Sequence, residues 1–279
     1  MLKMQKLLSL LFIIIFIFSC NRTSEKADKK NALGDTIQTS SGLKYYYLKR
    51  GDGKKIEKTS KVSVYTDLYM NDSDSVFWTT STAADSLFTF YHKKTSLIKG
   101  FSELHDYLVE GDEVIAYLPY TIAYGKDGSR GIPPKATLVY NPLVVKSVSE
   151  PKDLLSDSLY AITNNKGIQS AIEFYDKVMS SEEKNSYHSD MDLMVNNLLR
   201  SLGRDSLFVE VEAFSKFLML KTNDSNHQRT LAFQAASAAE AQMKYKEAIS
   251  YLEPWAEKEP DQPWWKNKIA ELNKKLESN

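Results

Sequence analysis

Two hydrophobic patterns divide the chain. Between 40 and 148 the apolar residues alternate with polar ones or cluster in short runs bounded by turns. Lys61–Met70 sets Val62, Val64 and Thr66 against Ser63, Tyr65 and Asp67, the two-residue period of a half-buried strand. Residues 43–48 read as a preceding strand, closed by the turn Gly51-Asp52-Gly53. Val76-Phe77-Trp78, 87–90, 113–119 and a last strand over 137–140 and 143–146 follow. Pro142 interrupts that last strand, which predicts an edge position or a bulge. Residues 100–109 alone carry helical spacing, through Phe101, Leu104, Tyr107 and Leu108. The sum is an antiparallel sheet with one short helix packed on it.

After Glu150-Pro151 glycine becomes rare and helix formers dominate. Helices are predicted over 170–180, 190–202, 206–220, 228–243, 245–258 and 264–276, with Asp153, Ser189, Asp205 and Asn226 as caps. Short loops make consecutive helices antiparallel hairpins. Three segments align: Ala171, Ile172, Tyr175, Val178; Ala213, Phe214, Phe217, Leu220; and Ala248, Ile249, Leu252, Trp255. Pro260 falls where the third helix should end. This spacing of a small residue and large apolar ones resembles the second helix of a tetratricopeptide repeat; an irregular bundle with an ordinary core stripe is the alternative. Either offers a surface for a protein partner.

The first residues follow neither pattern. Lys3 and Lys6 precede an apolar run of about 12 residues, too short to span a bilayer and typical of an export signal. The run ends at Ser19-Cys20, and Cys20 is the only cysteine in the chain. The boundary resembles a bacterial lipobox. That resemblance implies a signal at 1–19, cleavage before Cys20, and a lipidated Cys20 as the membrane anchor, with a polar tether reaching to 39. Asn21 after the cysteine leans towards the outer membrane of a cell envelope, by analogy with lipoprotein sorting.

Composition narrows the classes. The 279 residues carry 36 basic and 36 acidic side chains, and net charge zero argues against a nucleic-acid partner. One cysteine excludes an internal disulfide framework. His92, His105, His188 and His227 have no metal-pair spacing, and no nucleophile elbow or phosphate loop is present. The acidic turn 71–75 lacks calcium-loop spacing. Trp264-Trp265 opens a helix and is expected to pack in its core.

Five pieces of the β-rich region carry a family resemblance: Ser41-Gly42-Leu43-Lys44-Tyr45, Val64-Tyr65-Thr66, Leu97-Ile98-Lys99-Gly100-Phe101, Ala123-Tyr124-Gly125, and 131–140, which reads Gly-Ile-Pro-Pro-Lys-Ala-Thr-Leu-Val-Tyr. In order and spacing these resemble the FKBP-type peptidyl-prolyl isomerases over about 110 residues. The implied fold is α+β, a curved antiparallel sheet around one short helix at 40–148, followed by an all-α, helical-hairpin (tetratricopeptide-like) region at 149–279. The implied activity is isomerisation of X–Pro bonds in exported polypeptides, with chaperone activity as a further possibility of the family, and it needs no cofactor or metal.

By position, the resemblance implies a proline pocket floored by Phe101 and walled by Tyr65, Phe77, Phe88, Leu97, Ile98 and Tyr140. Tyr124 would reach the substrate with its hydroxyl, Ile132 would line the rim, and the Ile98 N–H would hold a substrate carbonyl. Phe90, Leu104 and Leu138 are expected in the core. Two positions depart from the family pattern: Trp78 stands where an acid usually follows the phenylalanine, and Asp67 stands where a glycine follows Tyr-Thr. Loss of one hydrogen bond of about 1–3 kcal/mol predicts reduced activity, roughly 10- to 100-fold down. A catalytically weak or inactive peptide-binding lipoprotein of the same shape is the alternative.

Overall fold

The alternation of Lys61–Met70 becomes a ten-residue strand at the middle of a sheet, with Val62, Val64, Thr66 and Leu68 buried. The structure is a computed structural model and describes residues 33–71, 73–82, 86–129 and 131–278. The signal, Cys20 and most of the tether lie outside the described residues.

The strands are β1 (Ile37–Gln38), β2 (Lys44–Lys49), β3 (Lys61–Met70), β4 (Trp78–Thr79), β5 (Phe88–Tyr91), β6 (Glu113–Leu118) and β7 (Leu138–Val148), with helix α1 (Lys99–Leu104) between β5 and β6. They form one antiparallel sheet in the order β1-β2-β6-β7-β3-β4, and β5 follows β4 along the same edge of β3. The inner face, including Leu43, Tyr45, Val64, Val114, Leu118 and Leu143, packs with α1 in a single core. Phe90, Leu104 and Leu138 are buried there as expected.

Pro142 lies in a central strand, between β6 and β3, so the bulge reading holds and the edge reading does not. Thr66 pairs with Leu143 and Leu68 with Tyr140, two residues on β3 facing three on β7. The same offset occurs against β6, between Val114–Leu143 and Ala116–Tyr140. The bulge removes the need for a Pro142 N–H and leaves both Tyr140 and Leu143 on the inner face.

Helix α1 is shorter than its apolar spacing predicts. Beyond Leu104 the chain tightens into turns, with Asp106 N–H donating to Glu103 O and Tyr107 N–H to Leu104 O. The buried His105 ring donates Nδ1–H to the Phe101 carbonyl at 2.7 Å, satisfying a helix-end acceptor. Gly100 lets α1 approach β6: a Cβ there would lie 2.8 Å from Leu118 Cγ and Ile122 Cδ1.

The rest of the chain is helical. A parallel pair, β8 (Asp153–Leu154) and β9 (Tyr187–His188), brackets α2 (Leu155–Lys166) and α3 (Ile168–Met179). Helix α2 was not expected; its pattern of Leu155, Leu159 and Thr163 is too sparse in apolar residues to stand out. Then α4 (Met191–Leu193) runs through a π-helical turn, Met194–Leu199, into α5 (Arg200–Arg204). The hairpin series continues with α6 (Phe208–Met219), α7 (Ser225–Ala241), α8 (Tyr245–Lys258) and α9 (Pro263–Glu277). Among the described residues no helix is long and apolar enough to cross a membrane.

Several local expectations change. Asp224, not Asn226, caps α7, by accepting from the His227 N–H at 2.8 Å. Asp190, not Ser189, occupies the N-cap position of α4, and its carboxylate does not cap. Of the aligned positions Ala171, Tyr175 and Val178 are buried on α3 and all four on α8, but on α6 the buried apolar residues are Val211, Phe214 and Leu218 while Leu220 is 86% exposed. The second segment is therefore out of phase with the other two. Trp265 is buried, whereas Trp264 is exposed beside Phe233, with ring centroids 5.4 Å apart.

Candidate functional site

The inner face of the sheet and α1 together enclose an apolar cavity of about 650 Å³. Its floor is Phe101 at the start of α1, 4% exposed. Three rings hold that floor: Tyr140 at 5.0 Å, Phe90 at 5.6 Å and Phe88 at 6.0 Å between centroids. His105 packs beneath Phe101 at 4.5 Å. Burial holds the His105 imidazole low, to about 4, so at neutral pH the floor rests on an uncharged ring.

Phe77, Phe88, Leu97, Ile98, Tyr124, Ile132 and Tyr140 join Phe101 around this cavity. Their convergence has local causes. The β7 bulge keeps Tyr140 facing inward. Ile98 enters α1 with extended backbone, φ −60° and ψ 146°, and among the described residues its N–H has no acceptor. Ile132 is fixed by paired backbone bonds with Ser129, Ser129 N–H to Ile132 O at 3.1 Å and the reverse at 2.7 Å. Tyr124 stands at the mouth, 40% exposed. Burial, and then the neighbouring Tyr124, push the Tyr140 phenol well above its ordinary range, so it stays protonated.

Tyr65 is not part of this wall. The period of β3 turns Val64, Thr66 and Leu68 inward and Tyr65 outward, where its hydroxyl donates to Asp67 Oδ2 at 3.3 Å. Leu68 takes the inner position instead and lines the cavity. The alternation of Lys61–Met70 already carried this signal; the family motif overrode it.

Trp78 and Ser96 also line the cavity, and the sequence reading left the place of Trp78 open. Trp78 pairs with Leu68 across the β3–β4 ladder and sets its indole edge-on to Phe88, at 6.1 Å and 88°. It is 40% exposed, so it extends the apolar wall outward and does not fill the cavity. Asp67 lies on the outer face, accepting from Thr79 Oγ1 at 2.5 Å, and brings no carboxylate to the cavity. The arrangement can desolvate a small apolar ring on aromatic surfaces while offering a backbone N–H and a phenol at its rim.

The same stretch of chain is similar to known proteins. A family model described as FKBP-type peptidyl-prolyl cis-trans isomerase matches residues 52–142. The probable FKBP-type peptidyl-prolyl cis-trans isomerase FkpA of Neisseria meningitidis serogroup B is 34% identical over 120 residues, 42% of this chain and 43% of that protein. The macrophage infectivity potentiator of Trypanosoma cruzi is 31% identical over 116 residues, 41% of this chain and 57% of that protein. Among solved structures, FkpA from Escherichia coli is 26% identical, covering 41% of this chain and 51% of that one with a TM-score of 0.37. The chain thus spans about half the length of the curated relatives it matches. Residues 52–142, which hold every side chain lining this cavity, form a domain of the FKBP-type peptidyl-prolyl cis-trans isomerase kind.

Proposed function

We propose that the protein isomerises X–Pro bonds in exported polypeptides, with the proline ring seated on Phe101. The observation that carries this reading is the closed aromatic floor of Phe101, Tyr140, Phe90 and Phe88 beneath an open rim. Rotation about an X–Pro amide is opposed by resonance, with a barrier of roughly 18–20 kcal/mol. A dry aromatic cavity favours the twisted, less polar amide over the planar, charge-separated one. The free Ile98 N–H is available to a substrate carbonyl and the Tyr124 phenol to a second. A 10⁴-fold acceleration needs only about 5–6 kcal/mol, within reach of such contacts.

Lipidation at Cys20 would hold the domain at a cell-envelope membrane, where unfolded exported chains arrive. Proline isomerisation limits the folding of many such chains, which gives an anchored isomerase its use. The α2–α9 region would bind a partner protein or hold a client.

Trp78 supports a second reading, a peptide-binding domain with little turnover, because the wall position carries an indole and no acid. Exchange NMR on a Leu-Pro tetrapeptide separates the two. An isomerase gives exchange well above background that falls at least tenfold in Tyr124→Phe and further in Phe101→Leu. Peptide affinity without exchange leaves the binding reading. Wild-type exchange in both variants would remove the site assignment.

A further inference from the structure

Phe88, Ser96 and Leu97 line the aromatic cavity and also a second cavity of about 620 Å³, so the two meet at one rim. The far wall of the second cavity is helical and comes from the π turn and α5: Asn196, Asn197, Arg200 and Arg204. π turns recur at functional sites because they displace side chains from the regular helical positions.

The two walls are tied together. Lys94, from the sheet side, is bound to Asp157 of α2, and Asn197 Nδ2 of the π turn donates to the other Asp157 oxygen at 2.9 Å. The Tyr91 and His188 rings pack edge-on with centroids 5.0 Å apart. The groove is therefore built before any ligand arrives.

Its charge is unbalanced. Lys94, Arg200 and Arg204 line it against a single acid, Asp192. Asp192 faces His227 Nε2 at 3.2 Å, and Lys94 is taken by Asp157. Arg204 has only the loose approach of Asp205, 3.8 Å, and Ser201 Oγ at 3.5 Å. Arg200 is exposed and among the described residues makes no ion pair or side-chain hydrogen bond. Asn196 beside it is an exposed amide.

We propose that this groove is a second subsite for the polypeptide whose proline occupies the aromatic cavity, and that it takes an acidic stretch flanking that proline. The proposal rests on the proline-pocket reading above. A chain leaving the cavity over Ser96 and Leu97 advances about 3.3 Å per residue and meets Asn196 and the arginines, whose guanidinium forks match carboxylates.

The test uses the full chain and a Leu-Pro tetrapeptide extended on either side by three glutamates or three glutamines. Affinity and exchange are measured by fluorescence titration and NMR at low salt. The expected result is that glutamates on one side tighten binding about three- to tenfold over glutamines, as partly exposed ion pairs do. The gain disappears in Arg200→Glu with Arg204→Glu and at 0.5 M salt, and survives in Arg200→Lys with Arg204→Lys. The unextended tetrapeptide behaves alike in all variants. No gain on either side, or a gain that survives charge reversal, would overturn the groove assignment alone. An unextended tetrapeptide that neither binds nor exchanges would overturn the proline-pocket reading and this one with it, and the short peptide by itself reveals that case.

Discussion

The Tyr91 hydroxyl, at the end of β5, donates to the Asp190 carboxylate just before α4, whose other oxygen accepts from Lys61 Nζ at 2.5 Å. A residue placed to cap a helix thus clamps sheet to helices. Burial alone would raise the Asp190 carboxyl, but Lys61 and Tyr91 bring it below its ordinary value. A lowered folded-state value gives stability that is complete above the ordinary carboxylate range, near pH 4, and lost as pH falls through the folded value. Asp190→Asn is expected to cost about 1 kcal/mol at pH 7, after allowance for partial exposure, and less at pH 3. Urea unfolding at both pH values checks this.

His105 gives a second, higher pH dependence. Its folded value of about 4 lies below that of a free imidazole, so the unfolded chain binds the extra proton between the two. Stability is complete above about pH 6.5 and falls down to about pH 4, by roughly 2–4 kcal/mol for this fully buried ring. Burial lowers His92 as well, so a smaller slope of the same sign remains. His105→Gln keeps a donor for Phe101 O and is expected to flatten most of the change in unfolding midpoint between pH 7.5 and 4.5.

Gly100→Ala tests the approach of α1 to β6. A better helix former would gain about 1 kcal/mol in open space. Here the new methyl meets Leu118 and Ile122 at 2.8 Å, and overpacking costs about 1–3 kcal/mol. Net destabilisation is expected in thermal melts, with weaker proline-peptide binding because Phe101 is the next residue.

Trp78 separates wall from chemistry. Trp78→Ala is expected to weaken peptide binding about five- to tenfold, the worth of one aromatic contact of about 1 kcal/mol. Trp78→Asp also weakens binding, but restores the acid implied by the family resemblance and is expected to raise kcat about tenfold. Concentration-dependent exchange NMR resolves kcat from KM.

Tyr65→Phe is expected to leave both binding and exchange unchanged, since its hydroxyl reaches only Asp67 on the outer face. A loss like that of Tyr124→Phe would return Tyr65 to the pocket.

Where one physical signal dominated, the sequence was sufficient. The period of β3 yields its ends and its buried face, and α8 ends at Lys258, two residues before Pro260. Much of the aromatic cavity was legible because the motif names its residues: Phe77, Phe88, Phe101 and Tyr140 also fall on predicted elements, while Leu97, Ile98, Tyr124 and Ile132 rest on the motif alone. Leu68 was passed over for Tyr65 although the β3 period turns it inward, and Trp78 was not assigned because its place on the wall depends on the β3–β4 register, a long-range pairing. The groove beside the cavity was invisible for a related reason: its walls are about 100 residues apart in sequence, and a π turn has no distinct residue pattern.

The bulge at Pro142 gives β7 two phases. Core-facing side chains fall at Leu138 and Tyr140 before it and at Leu143 and Val145 after it, even positions and then odd, with Val139 buried outside that core. A second offset at Lys146 returns Val148 to the even set. Of the first phase Tyr140 lines the aromatic cavity, while Leu138 and the second phase belong to the core. A substitution at Tyr140 alters the cavity wall and leaves Leu143 and Val145 in register. Deleting one residue between the two phases forces a choice, because an uninterrupted ladder would turn either Tyr140 or Leu143 to the outer face.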